Sequence, residues 1–198
     1  MRAVPLIAFA LPFLTPTNPP TPAKTTAVLA GGCFWGVEAV YEHVRGVKSV
    51  TSGYAVPLPA EPAMKPAAGD YVEAVRIEYD PELIGYARLL DIFFTVAHDP
   101  TQGNRQGPDV GPEYRSVILT SNEAEQALAA AFIDSLTSAG VFSRPITTQV
   151  SGLKSFKVAE AVHQDYVARN PRAPYVVVND APKLDHLRRV FPDLFRDR

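Results

Sequence analysis

Cysteine and tryptophan are almost absent: the 198 residues hold one of each, Cys33 and Trp35, and only four histidines. One thiol excludes an intramolecular disulfide and any cysteine-rich zinc site within the sequence. No pair of histidines has metal-ligand spacing, so no metal is expected. An excess of one charge is also lacking. With 19 Lys and Arg against 21 Asp and Glu, the net charge is −2, which gives no electrostatic ground for nucleic acid or an anionic membrane as a partner. No apolar run is long enough for a stop-transfer span, and no internal repeat is visible.

What is present suits one domain with extensions, since 46% apolar residues can build a core. The first 23 residues stand apart. Met1-Arg2 brings one positive charge, Ala3 to Leu14 is an apolar run broken by Pro5 and Pro12, and Thr15 to Pro22 is rich in Pro and Thr. That order resembles a secretory signal peptide, so a periplasmic or secreted protein is expected, the alternative being a disordered leader on a cytoplasmic one. The domain is then residues 24–198.

The two rare residues lie together in Gly31-Gly32-Cys33-Phe34-Trp35-Gly36. Ala27-Val28-Leu29-Ala30 precedes this stretch, and Val37, Val40, Tyr41 and Val44 follow at helical spacing. The pattern predicts strand, glycine turn and helix, with Cys33 near the helix N-terminus. Unpaired N–H groups and the helix dipole there favour a thiolate. Cys33 is therefore a candidate nucleophile. As a lone cysteine it would otherwise be a small buried hydrophobe.

Along the rest of the chain, Val47 to Ala55 predicts a strand, and the proline-rich Val56 to Gly69 a surface flap. Tyr71 to Tyr79 alternates, which predicts a strand whose apolar face carries Tyr71, Val75, Ile77, Tyr79 and, against the pattern, Glu73. A carboxyl on that face is expected to have a raised pKa and to act as acid or base. Asp80-Pro81 is expected to open a helix with a stripe of Leu83, Ile84, Ala87, Leu90, Phe93 and Phe94. His98 to Pro112 is a long polar loop of functional character. Then come a strand at Ser116 to Thr120, a helix capped by Ser121 and stopped by Gly140, and a strand at Ile146 to Val150. A helix at Ala159 to Arg169, an extended segment at Tyr175 to Val178 and a last helix at Lys183 to Val190 complete the order. The β-α-β-β-α-β portion predicts an α+β fold: a ferredoxin-like, split βαβ mixed sheet with helices packed on it, plus a C-terminal helical extension.

Phe34 and Trp35 could wall a pocket for a methyl or thioether group, or simply pack in the core. Tyr114, with Asp109, Arg105 and Arg115 nearby, could donate a hydrogen bond to a substrate oxygen. His163 and His98 are candidate bases, or surface residues.

Gly32-Cys33-Phe34-Trp35-Gly36 resembles the signature of the peptide methionine sulfoxide reductase A family. Thr51-Ser52-Gly53-Tyr54-Ala55, Tyr71-Val72-Glu73-Ala74-Val75, the series from His98 through Tyr114-Arg115-Ser116, and His163-Gln164-Asp165-Tyr166 extend the resemblance from about Ala27 to Pro171. The resemblance implies a reductase of methionine-S-sulfoxide, free or in proteins, with no bound cofactor. Cys33 would attack the sulfoxide sulfur, Glu73 would protonate the oxygen, and Phe34 and Trp35 would hold the methyl. Tyr114 would bind the oxygen with Asp109 behind it. Tyr54 and Tyr71 would compensate in part for a family tyrosine with no counterpart here, and His163 would lie behind the site. No recycling cysteine follows Cys33, so its sulfenic acid would need an external thiol: a thioredoxin- or glutaredoxin-type protein or a small thiol. A monomer is expected. Two other classes stay open, a non-catalytic binder of methionine-rich partners and a general thiol peroxidase.

Overall fold

A computed structural model describes residues 25–58 and 70–198. The leader and most of the expected flap fall outside the described residues.

Strand β1 (Thr26–Ala30) leads through the glycine turn into helix α1 (Phe34–Glu42). Strands β2 (Val47–Pro57) and β3 (Val72–Tyr79) follow. Helix α2 (Tyr86–Ile92) widens into a π-helical turn at Phe93–Ala97, where the long loop begins. The loop carries a two-residue pair, β4 (Arg105–Gln106) and β5 (Asp109–Val110). Next come β6 (Val117–Thr120), α3 (Glu123–Ser138), β7 (Gln149–Val158), the short α4 (Tyr166–Arg169) and α5 (Ala181–Val190).

The fold is α+β with a mixed sheet. β1 and β2 both pair antiparallel with β3, which lies between them, and β6 pairs antiparallel with β1. The mixed sheet goes beyond the expected ferredoxin-like layout in one respect. β7 pairs parallel with β6 and antiparallel with β2, so the order β1-β3-β2-β7-β6 closes into a barrel. A parallel pair needs a crossover, and α3 provides it between β6 and β7.

Alternation along the strands divides the core in two. Val28, Ala30, Ala55, Val72, Ala74, Val117 and Leu119, small side chains from four strands, form one cluster with Leu153 and Phe156 of β7. Ala27, Leu29, Val75, Ile77 and Ile118 point the other way and pack with α1, α2 and α5. The C-terminal helix and the tail after it pack into this core: Leu187 of α5, and Phe191 and Phe195 beyond it, are buried there. The Tyr41 hydroxyl donates to the Leu89 carbonyl at 2.8 Å, tying α1 to α2.

Several boundaries depart from expectation for local reasons. Asp80 closes a turn, accepting from Glu82 at its side chain and from Leu83 and Ile84 at its carbonyl, so α2 starts only after Gly85 and Leu83 stays exposed. Asn122, not Ser121, caps α3, with its side chain accepting the Glu125 N–H at 2.9 Å. The inward stripe of α3 is Ala129, Phe132, Ile133 and Leu136, and Leu128 lies outside it. β7 begins later and runs longer, because β6 pairs with its first part, Gln149 to Gly152, and β2 carries the pairing on from Leu153 to Val158. The expected helix at 159–169 is shorter: residues 161–165 form turns, Asp165 is left-handed at φ 52, and only Tyr166–Arg169 is helical. The valine run at 176–178 is helical, not extended. Val176 is buried while Val177 and Val178 are exposed, a helix-face pattern that β-branching masks.

Closure of the barrel depends on close approach at Gly53, where a Cβ would lie 2.6 Å from the Lys157 carbonyl and 2.4 Å from the Phe156 ring. Gly53→Ala should therefore force β2 and β7 apart and destabilise the protein by about 1–3 kcal/mol. Urea unfolding, read as a change of midpoint at constant slope, checks this.

Candidate active site

The strand-to-helix turn sets the site. Gly32 has φ +89, and a Cβ there would stand 2.4 Å from the side chain of Gln106. Gln106 bonds the Asp99 backbone twice, accepting its N–H at 3.0 Å and donating to its carbonyl at 3.1 Å. The long loop is thus seated directly on the cysteine turn. Its first residue, His98, is buried. It bonds the Phe93 carbonyl through Nδ1 and Ser116 Oγ through Nε2, and burial pushes its pKa down to about 4. A neutral, doubly bonded imidazole is a strut, so His98 is not a base.

Cys33 stands at the N-cap of α1, half-buried. Glu73 projects from β3 on the side of Val75 and Ile77, as the alternation predicted, and its Oε2 accepts the Phe34 N–H at 3.1 Å. The helix N-terminus therefore holds the carboxyl group beside the thiol. Burial raises the Glu73 pKa to about 7, with Asp109 and Glu113 adding to the effect, while the Phe34 N–H and the Cys33 thiol oppose it. Cys33 departs from expectation. Burial first, then the Glu73 charge, raise its pKa to about 12, with Asp180 and Asp109 contributing and a bond from the Trp35 backbone opposing. The free site contains a neutral thiol, because the helix N-terminus serves the carboxylate and three acids surround the sulfur.

The aromatic residues do converge. Phe34 is 2% exposed, with its ring 5.7 Å from Tyr54 and 5.5 Å from His163. The Trp35 ring lies 3.6 Å from Tyr166, nearly parallel, and its indole N–H donates to His163 Nδ1 at 3.3 Å. His163 is therefore an acceptor that orients Trp35. Tyr54 pairs with Glu73 in the β2–β3 register, and its hydroxyl donates to Glu160 at 3.3 Å. Tyr71 packs edge-on against Tyr54 at 5.4 Å and is exposed, at the rim. Tyr114 lies in the field of Glu73, Asp109 and Cys33, and burial first, then those charges, raise its pKa to about 12. Its hydroxyl stays protonated and can donate.

Two residues of the site escaped the sequence. Tyr175 donates its hydroxyl to Asp109 and meets Trp35 edge-on at 5.7 Å, so it joins the loop to the aromatic wall. Asp180 is buried beside α1 at Gly36 and pairs with Lys183 at 3.4 Å. Tyr175 comes from the segment read as extended and Asp180 from the start of the last helix, and no pattern placed either near Cys33. Among the described residues, no three His, Cys, Asp or Glu are grouped to hold a metal ion.

The family model for peptide methionine sulfoxide reductase matches residues 25–194. "Peptide methionine sulfoxide reductase MsrA 2" of Mesorhizobium japonicum is 42% identical over 181 residues, covering 89% of this chain and 92% of that protein. The crystal structure of reduced Mxr1 from Saccharomyces cerevisiae superposes with a TM-score of 0.67 at 31% identity, covering 77% of this chain and 90% of that one. Mxr1 in complex with Trx2 matches at a TM-score of 0.53 and 25% identity, covering 77% of this chain and 92% of that one.

The charge arrangement predicts how the thiol titrates. In Glu73→Gln the neighbouring charge is gone while burial remains, so the pH midpoint for iodoacetamide alkylation of Cys33 should fall by roughly one unit. The sign for stability follows from the raised Glu73 pKa. Its contribution is fully present below the unfolded carboxyl value and lost as pH rises through about 7. Glu73→Gln should therefore gain stability over the native protein above pH 7 and lose that advantage in acid, as thermal melts across pH will show.

Proposed function

The chain belongs to the peptide methionine sulfoxide reductase family, and from that premise we propose how its residues carry out the reaction. It is an enzyme that reduces methionine sulfoxide to methionine with electrons from thiols. The observation that carries the residue-level reading is the Glu73 carboxyl group held by the Phe34 N–H beside Cys33.

The substrate is methionine-S-sulfoxide, in proteins or free. Its methyl lies against Phe34 and Trp35, and its oxygen is reached by Glu73 and by the Tyr114 hydroxyl. Asp109 and Tyr175 brace the loop behind Tyr114, with Tyr54 and Tyr71 on the outer side. The Cys33 thiol passes its proton to the Glu73 carboxylate as its sulfur bonds to the sulfoxide sulfur, and Glu73 delivers that proton to the sulfoxide oxygen. In the collapse of the adduct the new S–S bond breaks and the hydroxyl passes to the Cys33 sulfur. Methionine leaves, its sulfur reduced by two electrons, and Cys33 is oxidised by two to the sulfenic acid. Two external thiol groups then restore Cys33, releasing water and forming their own disulfide.

No second cysteine in the sequence can take that role, and the Mxr1–Trx2 complex supports a thioredoxin-type donor. A glutaredoxin-type protein or a small thiol would use the same chemistry. We also read β1, β2, β3 and β6 as a ferredoxin-like split βαβ unit, closed by β7. The leader would place the enzyme in the periplasm or outside the cell, or, if retained as a tail, in the cytoplasm. A neutral thiol ringed by acids does not suit a peroxidase, which attacks as a thiolate.

A peptide containing methionine-S-sulfoxide, incubated with the protein and excess dithiothreitol, should yield methionine. Cys33→Ser should abolish turnover, and Glu73→Gln should slow the reductive step by about 10²–10⁴-fold. Without reductant, one substrate addition should leave Cys33 one oxygen heavier by mass spectrometry. Absence of product, or product formed by Cys33→Ser, would reject the reading.

A further inference from the structure

Behind α1, away from the sulfur, charged side chains from three parts of the chain converge. Glu38 and Glu42 lie one turn apart on α1 and are 2% and 7% exposed, which is uncommon for glutamate. Asp165 approaches from the turn before α4, and Arg198 from beyond α5. The Arg198 guanidinium bridges the set, one nitrogen on the Glu42 carboxyl and another on Asp165. Asp165 and Glu42 also hydrogen-bond each other, and Glu38 bonds the Asp165 backbone. The neighbouring Arg196 bonds the Glu42 carbonyl at 3.0 Å.

The cluster matters because of what flanks Asp165. His163, two residues earlier, accepts the Trp35 indole N–H, and Tyr166, the next residue, stacks on the Trp35 ring. Residues 161–165 are turns and α4 is only four residues long, so little regular structure fixes these two side chains. On one side Gln164 fastens the segment to β2, exchanging bonds of 3.0 and 2.9 Å with the Ser52 backbone. Arg169 folds back on the carbonyls of Ala161 and Val162. On the α1 side the polar fastening runs through Asp165.

We propose that Arg198, acting through Glu42 and Asp165, is a positioning residue for substrate: it clasps the His163–Tyr166 turn to α1 and so fixes the Trp35 wall against which the substrate methyl lies. The proposal rests on the methyl-pocket reading above. Without the guanidinium, the two-pronged bridge between Glu42 and Asp165 is lost, and the turn is tied to α1 only by the single bonds that Asp165 makes with Glu42 and Glu38. Burial raises the pKa of Glu42 to about 8 and that of Glu38 to about 7. The groups that face this cluster are thus Glu38 and Glu42 from α1, Asp165 and Arg169 from the α4 segment, and Arg198 and Arg196 from the tail.

Trp35 is the sole tryptophan, so its fluorescence reports the wall directly. The experiment compares the full-length protein with Arg198→Ala and Arg198→Lys, reading Trp35 emission and acrylamide quenching, KM and kcat on the sulfoxide peptide, Cys33 alkylation and the thermal midpoint. Arg198→Ala should shift the emission, raise quenching and raise KM several-fold, with kcat and alkylation held within about twofold. Arg198→Lys should recover part of the KM loss, having charge but no fork. Unchanged Trp35 emission and KM in Arg198→Ala would overturn the proposal. So would a fall in kcat and thermal midpoint that Lys does not relieve, which marks a purely structural contact. If the unaltered protein reduces no sulfoxide, the functional reading fails by itself, and the fluorescence arm still decides whether Arg198 fixes Trp35.

Discussion

The hydrogen bond from the Phe34 N–H to Glu73 joins the first residue of α1 to β3, and the rest of the site is arranged about it. A helix N-terminus can favour one nearby anion. Here it favours the carboxylate, and the thiol one residue earlier is left neutral. That division makes the pair a proton relay rather than a thiolate beside a spectator acid. The two groups share the protons that the reaction must move, and their titration belongs to the pair.

The fold serves this contact. β3 lies between β1, which leads to Cys33, and β2, which carries Tyr54, so the nucleophile, the acid and one aromatic come from adjacent strands. The long loop lies on the cysteine turn through Gln106 and Gly32, and it brings Asp109 and Tyr114 within electrostatic reach of Cys33. The segments after β7 then complete the wall around Trp35 with His163, Tyr166 and Tyr175. Burial dominates the raised pKa values of Cys33, Glu73 and Tyr114 alike, so excluding water sets their protonation states more than any single ion pair.

Residues whose role is set locally were legible in the sequence. The glycine turn before an apolar 3.6-residue pattern placed Cys33 at a helix start, and strict alternation placed Glu73 on the helix-facing side of β3. What distant packing decides was not legible. The closure of the sheet depends on β7 finding both edges, which no local pattern announces. The helical fold of residues 176–180 was hidden by three valines, and with it the contact from Tyr175 to Asp109. The thiolate expectation failed because it counted the helix dipole and could not count the acids that the fold places around the sulfur.

The central claim is that one proton shared by Cys33 and Glu73 makes the site competent. Its most direct test is the pH dependence of Cys33 sulfenic acid formation in a single turnover without reductant, read as an apparent second-order rate. The account predicts a rate that rises as pH climbs through about 7, where Glu73 gives up its extra proton and can accept that of the thiol, with this limb absent in Glu73→Gln. A rate that falls through the same range, or a limb that survives in Glu73→Gln, would contradict it.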